Sequence, residues 1–198
     1  MKRYVPLVFC FALFLSLWDS ALAEAETAEI SAKVLRLHVR AADDTPAAPG
    51  RKLLVRDILG ETLSPLLSGS GDRDDAARRA EAALPELQRQ AEAVLDFLGK
   101  PEPVRLRLCR EDFPERRYPG VTLPAGEYLA LRADLGNGGG ANWWCVVWPP
   151  LCLAASEEEE EEALDVFSPE ERKRITSSGI CFRSRLLDLL KRIFGSGG

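Results

Sequence analysis

Between Asn142 and Cys152 the chain reads Asn-Trp-Trp-Cys-Val-Val-Trp-Pro-Pro-Leu-Cys, with three tryptophans and no charge. Residues 143–148 are apolar on both sides of an extended backbone, so a strand here has to be covered on both faces. Pro149 and Pro150 then stop it, because proline cannot donate to a ladder. Whatever the fold, it must enclose this segment, and 198 residues that are 46% hydrophobic are enough to do so. The composition excludes collagen-like, coiled-coil and polytopic membrane chains.

Other strands show by alternation. Leu35, Leu37 and Val39 interleave with Arg36, His38 and Arg40, which predicts a strand with one face on a core and His38 on its polar side. Residues 104–108 alternate in the same way. In residues 127–135, Leu129, Leu131, Ala133 and Leu135 oppose Tyr128, Ala130, Arg132 and Asp134, after turn chemistry at Pro124-Ala125-Gly126. A glycine-rich stretch over 136–142 separates this strand from the tryptophan block, and the two read as a hairpin with a long, flexible tip.

Helical spacing appears between these strands. Leu54, Ile58, Leu59, Leu63, Leu66 and Leu67 predict an amphipathic helix over 50–67. Ser68-Gly69-Ser70-Gly71 breaks it, and acids at 72–75 load the start of a second helix whose apolar set runs from Ala76 to Leu98, with Gly99 as its stop. Pro85 falls inside that set and predicts a kink or restart. The expected fold class is α+β: a small, mostly antiparallel sheet with helices on one face and C-terminal amphipathic helices after an acidic spacer.

The ends carry addresses and appendages. Lys2 and Arg3, an uncharged run of 14 residues from Val5 to Trp18, and Ala21-Leu22-Ala23 form a signal-peptide pattern with cleavage expected after Ala23. An uncleaved anchor is the alternative, although about 20 residues are needed to span hydrocarbon. The expected division is a signal peptide (1–23), a flexible leader (24–32), a domain (33–153), an acidic spacer (154–167) and a helical tail (168–198). Six glutamates at 157–162 form a solvated spacer. Ser168-Pro169-Glu170-Glu171 is a helix start with a capping box. In residues 185–194, Leu186, Leu187, Leu190, Ile193 and Phe194 oppose charged side chains, a helix that could cover the core, dock on a partner or touch a membrane surface.

Charge and cysteine content narrow the chemistry. The chain has 26 basic and 31 acidic groups, and outside the glutamate run no strong field acts on nucleic acid. Beyond the signal segment four cysteines remain, Cys109, Cys145, Cys152 and Cys181, which admit three disulfide connectivities. Cys145–Cys152 would close a short loop and contribute roughly 2–3 kcal/mol, with Cys109–Cys181 as its complement. Paired metal-ligand spacings are absent, so no metal or other cofactor is expected.

His38 is the one histidine, so a nucleophilic dyad would need it with Cys145 or a serine. No GxSxG frame surrounds a serine, and Cys145 lies in an apolar stretch that disfavours its thiolate. The glycines at 136–140 lead into a strand rather than a helix and lack a Gly-Lys-Ser/Thr, which argues against a phosphate cradle. No catalytic residue is assigned.

Taken in order, Leu35-Arg36-Leu37-His38-Val39, Leu53-Leu54-Val55-Arg56-Asp57, Phe113-Pro114 with Tyr118, Pro124-Ala125-Gly126-Glu127-Tyr128 and the block from Gly140 to Cys152 resemble the stage II sporulation protein R family of endospore-forming bacteria. The resemblance covers roughly residues 33–153. It departs at Ala42-Asp43-Asp44, where the family usually has Asn-Ser-Asp, and at Trp148, where phenylalanine is common. The resemblance implies an exported signal made in the forespore. Such a protein enters the space between forespore and mother-cell membranes and activates a membrane-embedded aspartic protease, the sigma-E factor-processing peptidase. On this reading Asn137, Asn142, Trp143, Trp144 and Trp148 are candidate partner contacts, with plain core as the alternative for the tryptophans. A secreted cysteine/histidine wall hydrolase and a structural module of the intermembrane space are the other function classes.

Overall fold

The computed structural model describes residues 14, 15, 17, 18, 24–118, 120–151 and 157–176. Most of the expected signal segment, including Ala23, lies outside them, as do Cys152, Cys181 and the amphipathic stretch 185–194. Among the described residues no helix is long and apolar enough to cross a membrane.

After a helical segment at 24–31 come β1 (Leu35–Arg40), α1 (Ala48–Leu67), α2 (Arg73–Phe97) and β2 (Val104–Phe113). There follow β3 (Arg116–Tyr118), β4 (Val121–Leu123), β5 (Gly126–Leu135), β6 (Asn142–Trp148), α3 (Glu157–Leu164) and α4 (Pro169–Thr176). The sheet runs β2-β5-β1-β6, and β3 pairs with β4 apart from it. β1 is parallel to β5 and antiparallel to β6, and β2 is antiparallel to β5. The fold is thus α+β with a four-stranded, mostly antiparallel sheet.

That order corrects one expectation. β5 and β6 are not a hairpin, because β1 lies between them. Strands sit about 4.8 Å apart, so the connection has to step over two spacings, or about 10 Å, which a tight turn cannot do. The glycine-rich residues 136–141 make the step. Gly140 N–H donates to Ala41 O at 2.9 Å, Gly139 N–H to Ala42 O at 3.3 Å, and Ala41 N–H to Ala141 O at 3.1 Å, so the loop is tied to the end of β1. A Cβ on Gly140 would lie 2.1 Å from the Asp43 carbonyl oxygen, and only glycine permits that approach. Gly138 has a φ of +65°, a second reason for glycine in the tip.

On the first face, α1 and α2 cover Leu35, Leu37, Val39, Leu131, Ala133 and Leu135. α2 begins at Asp72, whose side chain accepts from the Asp75 N–H at 2.7 Å, and ends at Gly99 with a φ of +68°. Pro85 does not break it: the helix runs through all 25 residues. Pro85 sits on the exposed side, where water can take the place of the amide missing from the ladder. Leu54, expected in the core, is 43% exposed, while Lys52 is buried with its ammonium on the carbonyls of Ala141 and Asn142. Burial lowers the Lys52 pKa, and the contact ties α1 to the start of β6.

The second face is also covered, over one half. There Tyr128, Ala130 and Val146 meet Val121 and Leu123 of the small hairpin, Ile30 of the N-terminal segment, and Ala163, Phe167 and Ile175 of the C-terminal helices. Residues 24–31, within the stretch 24–32 expected as a flexible leader, are helical, and Ile30 packs into this cluster. The acidic stretch is helical over 157–164, with Glu161 and Glu162 exposed and Ala163 inside. α4 carries the expected capping box: Glu171 N–H donates to Ser168 Oγ at 3.3 Å, and Ser168 N–H to Glu171 Oε2 at 2.7 Å. Lys33 adds a 2.6 Å ion pair to the same carboxylate.

Candidate interaction face

Strand register lays out the second face row by row. One row reads Cys109, Ala130, Arg36, Val146; the next Arg107, Arg132, His38, Trp144; the third Arg105, Asp134, Arg40, Asn142. The first row lies under the covering elements. Among the described residues no element packs over the other two except at Trp144, and they form the open half of the face.

His38 sits at the boundary and is 8% exposed, which corrects its expected place on a solvated polar side. Both of its ring nitrogens are engaged, Nδ1 with Glu111 Oε1 at 2.8 Å and Nε2 with Asn142 Oδ1 at 2.9 Å. Its ring stacks on Trp144 with centroids 5.5 Å apart and meets the Phe113 edge at 5.8 Å. Glu111 also accepts from Arg132 Nη1 at 3.3 Å, and Arg132 Nε donates to Asp134 at 3.0 Å. Residues of β1, β2, β5 and β6 are joined in one polar network.

Arg36 is the unexpected member of this face, since its guanidinium is fully buried. Its carbon lies 4.1 Å from the Phe113 ring centroid and 4.7 Å from that of Tyr128, and Nη2 donates to Tyr118 Oη at 2.6 Å. Nε and Nη1 have no hydrogen-bond partner, and no carboxylate among the described residues pairs with the side chain. Aromatic faces supply the compensation that a counter-ion would otherwise give. Burial pushes the Tyr128 phenol up to about 12, so it stays a neutral donor to Pro124 O.

The sequence-derived contact residues separate on this frame. Trp148 is 6% exposed in the first core, as the core reading anticipates. Trp143 faces the same side at the sheet edge, with the Arg56 guanidinium 4.6 Å from its ring. Trp144 and Asn142 are on the second face, and Arg116 lies 3.8 Å over the Trp144 ring. Asn137 is exposed in the tip, its Oδ1 accepting from the Gly139 N–H at 2.9 Å. Only Trp144 and Asn142 therefore share a surface with His38.

Register also separates the thiols from the imidazole. Cys145 pairs with Leu37 and faces the first core, on the opposite side of the sheet from His38. Cys109 is on the second face, but burial pushes its thiol pKa up. Neither cysteine is placed for a dyad with His38. Cys152 and Cys181 lie outside the described residues, so the two disulfide pairings do too. Among the described residues no cluster of three metal-ligating side chains occurs.

Sequence reasoning missed Glu111, Arg107, Arg132, Asp134 and Arg36 as a group. Their signal was present, since Arg132 and Asp134 alternate with leucines. Alternation shows which side a residue takes; it does not show that the other side is also packed.

A family model described as stage II sporulation protein R matches residues 31–158. The Bacillus subtilis (strain 168) protein "Stage II sporulation protein R" is 31% identical, over 72% of this chain and 67% of the relative. No solved structure matches. The family match spans both β1, which carries Arg36 and His38, and β6, which carries Trp144, so it covers the network just described: the chain belongs to the stage II sporulation protein R family.

Proposed function

We propose that this protein is an exported signal of endospore formation. Secreted across the forespore membrane into the intermembrane space, it activates the membrane-embedded aspartic protease that processes the sigma-E precursor. It acts by contact and transforms no substrate. Family membership supports the sporulation role. The observation that carries the contact reading is the second face itself. Its open half presents a half-buried tryptophan and a set of arginines, while the lone imidazole is bonded at both nitrogens and, among the described residues, has no thiol on its side but the pKa-raised Cys109.

Trp144 is the natural anchor for contact. Aromatic side chains bury large area at small entropic loss, and Trp144 is already held between His38 and Arg116. Trp148 and Trp143 support β6 from the other face. Deleting the chain from a sporulating cell, scored for cleavage of the sigma-E precursor, tests the role, and separate Trp144→Ala and Asn137→Asp variants test the contact. The reading expects no cleavage after deletion, and for Trp144→Ala reduced cleavage with normal secretion and melting. Cleavage that survives deletion would instead indicate a structural module.

A further inference from the structure

The open half of the second face has a charge imbalance that the fold leaves unresolved. Arg107 lies directly opposite Arg132, and Arg105 and Arg40 flank Asp134 on the neighbouring strands. Like charges opposite one another destabilise a sheet. Two carboxylates stand against these four guanidiniums. Asp134 is approached by Arg132 at 3.0 Å, Arg107 at 3.5 Å and Arg40 at 3.7 Å, and Glu111 is shared between Arg132 and His38. Arg105 is exposed and makes no ion pair among the described residues, and the Arg107 side chain is 52% exposed. The whole chain is net −5, so the positive excess is local to this face.

We propose that an acidic segment of the protein partner docks on this open half, its carboxylates meeting Arg105, Arg107, Arg132 and Arg40, with Trp144 packing at the margin. The inference rests on the contact reading above and adds the chemistry of the partner. Guanidinium is the group best matched to carboxylates, since it offers parallel donors in a fixed plane. Arg105 and Arg107 are alternate residues of one strand, about 6.5–7 Å apart, which is also the spacing of alternate side chains in an extended segment. Acidic residues at every second position of such a segment fall in register with the two arginines.

The test uses the exported protein, the detergent-solubilised protease as probe, and Arg105→Glu with Arg107→Glu. Arg105→Gln with Arg107→Gln serves as a milder pair, and Arg105→Lys with Arg107→Lys as the charge-keeping control. The expected result is a loss of affinity of about tenfold or more for the reversal. A smaller loss is expected for the glutamine pair, and a loss smaller still for the lysine pair, which keeps the charge but not the planar fork, all with unchanged melting. Binding by the parent should weaken with salt, and binding by the glutamine pair should depend on salt less steeply. If the reversal and glutamine pairs bind as the parent does while Trp144→Ala does not, the acidic-partner inference is overturned and the contact reading stands. Variants that lose binding only to phosphatidylglycerol vesicles would overturn it in favour of a membrane surface. If the parent does not bind the protease at all, the contact reading fails first.

Discussion

Replacing Gly140 by alanine tests whether the crossover over β1 is what positions the face. The new Cβ would meet three backbone atoms of Asp43, the carbonyl oxygen at 2.1 Å, the carbonyl carbon at 2.5 Å and Cα at 3.0 Å. Ordinary carbon contacts lie near about 3.5 Å, so the two segments must part by roughly 1 Å or more. Parting them breaks the Gly140–Ala41 hydrogen bond and weakens Gly139–Ala42. Each such bond contributes about 1 kcal/mol, and overpacking adds about 1–3 kcal/mol. The expected destabilisation is about 2–5 kcal/mol, or a fall in Tm of roughly 5–15 °C for a chain of this size. Gly50→Ala is the control, because nothing lies within 4 Å of its Cβ position. It should leave stability unchanged or raise it by up to about 0.5 kcal/mol, because position 50 lies in the first turn, where the preference for alanine over glycine is weaker than in the helix interior. Urea and thermal unfolding followed by circular dichroism read both variants. A Gly140→Ala protein within about 0.5 kcal/mol of the parent would refute the steric argument.

Three further outcomes follow from the second face. Arg36→Met should lower stability by about 1–2 kcal/mol, since the aromatic cage loses its cation and Tyr118 its donor while methionine keeps the packing; a gain in urea unfolding would show that the rings do not compensate the buried charge. His38→Ala should lower stability by about 2–4 kcal/mol, because Glu111 and Asn142 lose their partner and Trp144 its stacking ring; unchanged unfolding would contradict the network. For Glu171, burial would raise the carboxyl pKa, but hydrogen bonds from Lys33 and Ser168 outweigh it and hold the value below the ordinary 4.5. Its contribution is therefore present above pH 4.5 and is lost as the pH falls through the folded value, so Glu171→Gln should flatten the acid limb of the stability profile.

Much of the first face is legible in the sequence. Leu129, Leu131, Ala133 and Leu135 reveal their strand by alternation, and Asp72, Gly99 and Ser168 mark helix ends by chemistry that acts within a few residues. The pairing of β1 with both β5 and β6 is not legible in that way. It depends on which distant strand slots between two others, and the local pattern of a strand is the same in either order. The six-residue glycine loop held the clue, being too long for a tight hairpin and too rich in glycine for a solvated one. Arg36 and His38 lie buried against their sequence pattern for a related reason. Charged residues opposite leucines read as solvent-facing, yet here a hairpin of two three-residue strands, too short to show in periodicity, and the C-terminal helices cover that side. The half of the face left open carries Trp144 and the arginines, which only the register brings together.

The most direct test of action by contact is reconstitution. The exported protein is titrated onto vesicles holding the protease, and cleavage of the sigma-E precursor is followed. Cleavage should begin only when the protein is added, saturate as a binding curve, and leave the added protein unchanged and recoverable. Cleavage at the same rate without it would contradict the account, as would a peptide or glycan turned over by the protein alone and spared by His38→Ala or lost with it.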